Sequence, residues 1–328
     1  MAEAEPWRPL PFDEVIDISA GEARKRRLRR QLHAWYAFVI TLVIAAINIA
    51  GFPYVLQWRA SLRTAQTADA AAQHVEGWPY PQAEEAFAAA KRYNRKIAAS
   101  DQTVLGEAED PFTSTAGGSH ASGKDSLAAK DSEYQSLLDS GDSVMGTIRV
   151  PKVSIKLPIY HGTSDAALAS GAGHLYGTSL PVGGKSSHAV ITGHRGLVEA
   201  AMFTRLDEMR EGDFFYIEVM GETLGYEVDR IDVIEPSETS RLRVVKGEDR
   251  VTLMTCTPYG VNTHRLLVSG HRVKIPVPAP DPNAMHDPMR MGLYAVLGVL
   301  VPGWLFFLIL GRRRNPRPRI MRHAVVHL

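Results

Sequence analysis

Cysteine is almost absent from this sequence, because Cys256 is the only cysteine in 328 residues. A lone thiol cannot form a disulfide within its own chain, which excludes a domain held together by internal disulfides. A free cysteine is usually a small buried hydrophobic residue, and it becomes reactive only through the groups around it. Cys256 lies in "TLMTCTPYG", residues 252–260, behind apolar and β-branched residues and before a turn. We therefore predict that it lies at the end of a β-strand.

The sequence also has almost no net charge, with 37 basic and 36 acidic side chains. This balance argues against a nucleic-acid partner, which normally requires an excess of basic charge. The basic residues are concentrated near the ends: residues 1–33 carry seven against six acids, and residues 312–328 carry six arginines and no acid. Subtracting both ends leaves 24 basic against 30 acidic side chains, or about −6, between them. Basic ends around a more acidic middle indicate a membrane protein.

Two long stretches, residues 31–58 and residues 291–311, have no Asp, Glu, Lys or Arg. We predict transmembrane helices over 34–57 and 291–311, since each is long enough to cross a bilayer. Because "RKRRLRR" precedes the first and "RRRNPRPR" follows the second, the tails 1–33 and 312–328 are predicted to be cytoplasmic. The alternatives are a cleaved signal peptide for the first stretch and a buried core helix for the second. A lone thiol in the exported region between them is either incidental or reactive.

The chain between these stretches divides by composition into four segments. Residues 58–105 are rich in alanine with charges at helical spacing, which predicts helices. Residues 106–130 are rich in Gly, Ser and Thr and are predicted to form a loop. Residues 131–275 contain short alternating or β-branched runs separated by Gly and Pro, which predict a mainly-β domain, a closed or nearly closed antiparallel barrel. Residues 276–290 are rich in proline and are predicted to form an extended linker. No internal repeat is evident.

A reactive cysteine needs a proton-transfer partner and a nearby cation. If "VTLMTC" and "HRLLVSG" form adjacent antiparallel strands, Arg265 lies beside Cys256, where a guanidinium can stabilise a thiolate or an oxyanion. An ion pair between Arg265 and a surface acid is the alternative. Among twelve histidines, His194 is the best candidate, because it ends the strand-like "HAVITG" between two glycines, although a solvated ring is the alternative. Of the others, His188 is at a strand start, His264 is on the face opposite Arg265, and His161 and His174 are in predicted polar loops.

Several separated sequence elements resemble the sortase family. "TLMTC", an arginine nine residues later and "TGHRG" about sixty residues upstream resemble the sortase signature of a cysteine strand, a catalytic histidine and a catalytic arginine. "GTIRVPKVSIKLPIYHG", "GAGHLYGTSLPVGG" and "FTRLDEMREGDFFYIEV" resemble class C, pilin-polymerising sortases, and "EDPF" is similar to the lid motif of that class. The resemblance covers most of residues 143–272.

This resemblance implies an eight-stranded sortase-type β-barrel and a cysteine transpeptidase of Gram-positive cell surfaces. Cys256 would attack the Thr carbonyl of a Leu-Pro-x-Thr-Gly-like sorting signal to give a thioester. His194 would transfer protons, and Arg265 would hold the oxyanion or the substrate backbone. Thr255, in the signature strand, would help to shape the site.

The resemblance also implies a lid and a set of partners. Asp110, Pro111 and Phe112 would form the tip of a lid over the substrate groove. The acceptor would be a lysine amine of a pilin subunit that carries a Leu-Pro-x-Thr-Gly-like tail, and two transmembrane helices would hold the enzyme in the lipid bilayer. No cofactor is expected, and no metal site is expected, because the acids and histidines show no ligand spacing.

Three other functions remain possible at the level of the sequence. A housekeeping sortase would attach surface proteins to peptidoglycan, although "EDPF" and the second apolar stretch argue against it. A papain-like hydrolase would place its cysteine at a helix N-terminus rather than at a strand end. A membrane-tethered binding or scaffold module would carry an incidental cysteine, and alkylation of Cys256 would then leave its function untouched.

Overall fold

The computed structural model describes residues 19–100, 127–141, 143–197, 199–275 and Trp304. The chain divides into two compact units, Met1–Arg59 and Ala60–Leu328. The helices are α1 (Ser19–Glu76), α2 (Gln82–Ala99), α3 (Leu127–Lys130), α4 (Ser132–Ser136) and α5 (Asp165–Ser170). In α2, acids in the first turn and Lys96 in the last turn complement the helix dipole. The sequence prediction of helices in this N-terminal region is confirmed.

The first unit contains the apolar part of α1. Within the described residues, α1 is the one helix that is long and apolar enough to cross a membrane. Its large apolar side chains are exposed to the surroundings, among them Trp35, Leu42 and Ile49. This pattern is compatible with a membrane anchor, because a helix that is apolar on all sides favours lipid or a protein interior. The second predicted span, 291–311, lies outside the described residues apart from Trp304.

The second unit contains an eight-stranded closed β-barrel. The strands are β1 (Val144–Val150), β2 (Ile155–His161), β3 (Ala172–His174), β4 (Ser187–Thr192), β5 (Phe214–Val219), β6 (Glu222–Ile234), β7 (Asp249–Thr257) and β8 (His264–Val273). Around the barrel their order is β1-β2-β3-β4-β7-β8-β6-β5. The pairs β2–β3 and β4–β7 are parallel, and the other pairs are antiparallel. The predicted mainly-β barrel is therefore confirmed, with two parallel pairs that the sequence did not predict.

The side chains of β7 alternate between two separate apolar clusters. Val251 and Leu253 belong to the main core inside the barrel, together with buried residues of the other strands. Met254 belongs to a smaller cluster with Val190 and Leu267, on the outer face of β4, β7 and β8. Successive side chains of a strand point to opposite faces, so β7 is buried on both. This double burial explains its nearly continuous apolar and β-branched sequence.

Two helices are fastened to the barrel on either side of residues 101–126. Asn94 of α2 donates to the Leu180 carbonyl at 2.9 Å and accepts from the Leu180 N–H at 2.7 Å. Tyr134 of α4 is fully buried, and its hydroxyl lies 2.9 Å from His174 Nδ1. Because α2 precedes residues 101–126 and α4 follows them, both flanks of that segment are attached to the barrel.

Candidate active site

The candidate site lies at one end of the barrel, where β4 and β7 end and β8 begins. Cys256 on β7 is the direct cross-strand partner of Arg265 on β8, as the sequence predicted. On the other side of β7, Thr192 of β4 is in parallel register with Met254. His194 stands two residues beyond Thr192, and Cys256 stands two residues beyond Met254. The parallel register therefore carries His194 to the level of Cys256.

The three side chains share the outer face of the barrel. Cys256 lies on the same face of β7 as Met254, because two residues separate them, and Arg265 likewise shares a face of β8 with Leu267. Helix α5 covers this face: Leu168 packs against Cys256, and the charge of Asp165 acts on His194. One short helix thus borders both the thiol and the imidazole.

The Cys256 thiol is buried, with 4% of the residue exposed. Its apolar contact with Leu168 removes it from bulk water. Its cross-strand partner is Arg265, and a cation close to a cysteine sulfur generally favours the thiolate.

His194 is half-buried in the segment that follows β4. Burial lowers the pKa of His194 below its usual value, because desolvation disfavours the charged imidazolium, and the negative charge of Asp165 opposes this shift. The backbone is held on both sides: the His194 carbonyl accepts from Phe203 N–H at 2.9 Å, and Gly193 N–H donates to the Met254 carbonyl at 3.1 Å. The ring is therefore presented from a fixed backbone.

Gly193 is required by packing. A Cβ atom at this position would lie 2.8 Å from the Phe203 ring, and Phe203 is fully buried. A larger residue would therefore displace either the aromatic ring or the segment that carries His194. The close approach of the Phe203 ring therefore explains why a glycine precedes His194.

Arg265 is nearly fully buried, with 4% exposed. Its Nη1 donates to the carbonyl of Asn262, in the β7–β8 connection, at 3.0 Å and to that of His264, the first residue of β8, at 2.9 Å. These bonds fix the guanidinium against the backbone just before Arg265, in the residue that pairs with Cys256 across the strands. A charge held in place by its own turn is preorganised, because it needs no reorientation when negative charge develops nearby.

Thr255 lies on the opposite face of β7 from Cys256 and is fully buried. Its hydroxyl donates to the Gly193 carbonyl at 2.7 Å. The bond connects the residue before Cys256 with the residue before His194. This side-chain bond joins two strand ends, and the contribution of Thr255 to the shape of the site stays a prediction.

The sequence prediction that His161 and His174 lie in polar loops was wrong. His161 and His174 are buried at the ends of β2 and β3. The His161 ring contacts the Leu137 carbonyl at 2.7 Å and the Ser143 carbonyl at 3.0 Å. Apolar neighbours and backbone acceptors, which lie far apart in sequence, allow these rings to be buried.

Arg195 is a residue of the site that the sequence patterns did not single out. Its guanidinium donates to Asp207 at 2.6 Å and to the Thr257 hydroxyl at 3.1 Å, and it lies over the Tyr259 ring. The one sequence feature that could have indicated a role for Arg195 is its position directly after His194 in "TGHRG". Its two partners could not, since they lie 12 and 62 residues away in the chain.

An open cavity of about 680 Å³ lies at the end of β6 and is lined by residues 232–243. Ile234 in its wall is the cross-strand partner of Arg265, so the cavity adjoins the candidate site. Another cavity, of about 370 Å³, is lined by residues of α1, β1, β5 and β6 and lies across the barrel from Cys256.

The lid residues Asp110, Pro111 and Phe112 lie outside the described residues. Within the part of the chain that is described, no group of three His, Cys, Asp or Glu residues is placed to hold a metal ion.

The fold and the site define a class of protein: a closed β-barrel with a cysteine, a histidine and an arginine at the ends of three adjacent strands. The family model for the sortase domain matches residues 148–273. Among solved structures, sortase C1 of GBS pilus island 1 is 38% identical, with 64% of this chain and 92% of that chain covered and a TM-score of 0.55. Sortase C-1 from Actinomyces oris is 44% identical, with 59% and 98% covered and a TM-score of 0.52.

The curated relatives are more distant. Sortase D of Bacillus subtilis (strain 168) is 28% identical over 131 residues, which are 39% of this chain and 63% of that protein. Sortase A of Listeria monocytogenes is 30% identical over 133 residues, 40% of this chain and 58% of that protein. The chain thus spans about three fifths of the length of these curated relatives. Together with the solved structures, they show that the chain belongs to the sortase family, and its solved relatives place it in class C.

Proposed function

We propose that this protein is a membrane-anchored cysteine transpeptidase that polymerises pilins. It cleaves a Leu-Pro-x-Thr-Gly-like sorting signal between Thr and Gly and transfers the Thr carbonyl to a lysine amine of another pilin subunit. The observation that carries the proposal is the alignment of Cys256 with Arg265 across one strand pair and with His194 across the other. Nucleophile, cation and proton carrier are then on one face of one barrel end.

The first half of the reaction forms a thioester. Cys256 Sγ gives its proton to His194 and bonds to the Thr carbonyl carbon, which produces a tetrahedral oxyanion. His194 then donates the proton to the glycine nitrogen as the C–N bond breaks and the peptide amine leaves. Burial lowers the pKa of His194, which favours the neutral imidazole, the form that is able to accept the thiol proton.

The second half transfers the acyl group. The lysine amine attacks the thioester carbonyl and loses a proton to His194, and an isopeptide bond forms as Cys256 leaves. The proton returns to the sulfur, so that the thiol and the neutral imidazole are restored. No cofactor is needed in this cycle, because each proton moves between the thiol, the imidazole and the two amines.

Arg265 stabilises the oxyanion in both halves. Its bonds to the carbonyls of Asn262 and His264 hold it at the start of β8, in the residue that pairs with Cys256. Loss of one such preorganised donor typically lowers kcat by about 10²–10³. Substrate would reach this position through the open cavity next to Ile234, which suits an extended peptide.

Pilin substrates are favoured over peptidoglycan by the relatives and by the lid motif. One structural relative of this chain is named for GBS pilus island 1, and another, the sortase C of Streptococcus pneumoniae, is described in terms of pilin substrate specificity. The "EDPF" motif supports the same class, with Asp110 and Phe112 covering the groove and Pro111 stiffening the tip. We place the lid between α2 and α4, whose attachments to the barrel, through Asn94 and Tyr134, give it two fixed ends.

Membrane anchoring suits this function. We propose two spans, 34–57 and 291–311, with both termini in the cytoplasm and the barrel outside, because basic clusters flank the distal side of each span. The apolar surface of α1 supports the first span. Substrates held in the same bilayer meet the enzyme at raised effective concentration.

Pilus assembly in cells tests the function. Genes next to this one that encode proteins with Leu-Pro-x-Thr-Gly tails identify the candidate pilins. Deletion of the gene should abolish the high-molecular-weight pilin ladder on an immunoblot, and the wild-type gene should restore it, whereas Cys256→Ala should not. Intact ladders in the deletion strain, together with loss of surface proteins from peptidoglycan, would instead assign the housekeeping activity.

A further inference from the structure

Arg195 connects three segments around the candidate site. Its side chain is only 7% exposed. Nη2 donates to Asp207 Oδ2 at 2.6 Å, in the turn that follows Phe203, and Nη1 donates to Thr257 Oγ1 at 3.1 Å. The guanidinium carbon lies 5.8 Å from the centre of the Tyr259 ring. One side chain thus contacts the turn after the His194 segment, the end of β7 and the β7–β8 connection.

These contacts lie next to the reacting groups. Arg195 follows His194 in the chain, and Thr257 follows Cys256. The bond between Arg195 and Thr257 therefore ties the residue after the imidazole to the residue after the thiol. Thr255 makes the corresponding tie on the other side, from the residue before Cys256 to the residue before His194. The two bonds bracket the Cys256–His194 pair along both backbones.

The same guanidinium also supports the turn that holds the oxyanion arginine. Tyr259 packs on Gly196, where an added Cβ would lie 3.3 Å from the ring, and on Arg195. Tyr259 belongs to the connection whose Asn262 carbonyl accepts from Arg265. Arg195 is thus linked through one short turn to the third member of the site.

We propose that Arg195 is a positioning residue that fixes the thiol of Cys256 against the imidazole of His194. The inference rests on the proposed function, which it deepens. The planar guanidinium of Arg195 presents a fork of N–H groups that reaches a carboxylate and a hydroxyl at the same time. A lysine ammonium cannot reproduce this geometry. Small displacements at such a site matter, because an error of about 1 Å in the reacting geometry can lower a rate by about 10².

A simple stabilising ion pair is the competing explanation, and the barrel contains a matched example. Arg250 lies near the opposite end of β7, is 8% exposed in its side chain, and makes two bonds to Asp229, at 2.6 and 2.9 Å. The two arginines are equally buried and each is paired with a carboxylate, but Arg250 is six residues from Cys256. A purely structural role for Arg195 predicts the same consequences for both.

The experiment compares Arg195→Gln, Arg195→Lys and Thr257→Val with Arg250→Gln in the full chain, purified in detergent. Acylation is measured with a Leu-Pro-x-Thr-Gly peptide, and Cys256 alkylation by iodoacetamide is followed across the neutral and alkaline range. We expect Arg195→Gln to lower kcat about 10- to 100-fold with little change in KM. Arg195→Lys should recover only part of this loss. Arg250→Gln should lower the Tm while kcat and the alkylation profile stay as in the wild type.

Thr257→Val keeps the shape of the side chain and removes the hydroxyl that accepts from Arg195. It should lower kcat in the same direction, and it decides the question if Arg195→Gln does not fold. Wild-type kcat and alkylation profiles in folded Arg195→Gln or in Thr257→Val would overturn the inference, as would an equal loss of kcat in Arg250→Gln. Alkylation of Cys256 needs no peptide, so an altered alkylation profile in Arg195→Gln supports the positioning role by itself. If the wild type forms no acyl-enzyme with the peptide, that result refutes the proposed function and leaves the positioning role in place.

Discussion

Acidification should destabilise the barrel through two buried histidines. His174 and His188 are almost completely buried, and burial lowers the pKa of each to about 4. His174 Nε2 lies 2.8 Å from the Ser179 carbonyl, so that nitrogen carries the proton, and Nδ1 accepts from the Tyr134 hydroxyl. Protonation of either ring would place a charge in a dry interior and remove an acceptor.

The magnitude follows from the difference between folded and unfolded pKa values. An unfolded histidine has a pKa of about 6.5, so below that value the unfolded chain binds protons that the folded chain does not. The free energy of unfolding should therefore fall as the pH drops from about 6.5 to about 4, by about 1.4 kcal/mol per pH unit for each histidine. The lowered pKa of His194 acts in the same direction, whereas the raised pKa of Asp249 opposes it.

Urea unfolding of a chain shortened to residues 60–275, at neutral and mildly acidic pH, measures how the free energy of unfolding depends on pH. His188→Gln cannot take up a proton, so it should unfold more easily at pH 7 but show a shallower dependence, by about 1.4 kcal/mol per pH unit. A free energy of unfolding that stays constant from pH 7 to pH 5 would refute the reasoning. An unchanged slope in His188→Gln would remove His188 from it.

Three further predictions concern packing, the lid and topology. Gly193→Ala should destabilise the barrel by about 1–3 kcal/mol and slow acylation, because its Cβ would meet the Phe203 ring at 2.8 Å; wild-type acylation would contradict this. Asp110→Ala and Phe112→Ala should raise the Cys256 alkylation rate, and unchanged labelling would argue against a lid. In a Cys256→Ala background, Ala20→Cys should resist an impermeant thiol reagent in intact cells, whereas labelling would reverse the orientation.

The pairing of Cys256 with Arg265 could be predicted from the sequence because it is local. Two β-branched, apolar runs joined by a seven-residue connection favour antiparallel pairing. The position of His194 was harder to derive, because β4 and β7 are parallel and their register is set by contacts about sixty residues apart in the chain. Residue patterns made His194 the best of several histidines, and only the resemblance to sortases assigned it a role.

Contacts between distant segments account for what the sequence could not predict. His174 follows a polar stretch, and its burial depends on Tyr134 and the Ser179 carbonyl. Arg195 resembles an ordinary surface arginine in the sequence, because its carboxylate partner lies on another turn. Helix α1 runs without a break from residue 19 to residue 76. The predicted boundaries of the transmembrane segment at 33 and 57 stay predictions, because the backbone hydrogen bonds of a helix continue unchanged where it enters or leaves a membrane.

Mass spectrometry of the intact protein after mixing with a Leu-Pro-x-Thr-Gly peptide tests the central claim most directly. We expect an adduct on Cys256 that ends in the peptide's Thr, is released by hydroxylamine as a thioester, and is absent in Cys256→Ala. The adduct should form much more slowly in His194→Ala and Arg265→Ala, and because the three groups act together, the losses should not add in a double variant. Cleavage of the peptide between Thr and Gly by Cys256→Ala at the wild-type rate would contradict the proposed mechanism.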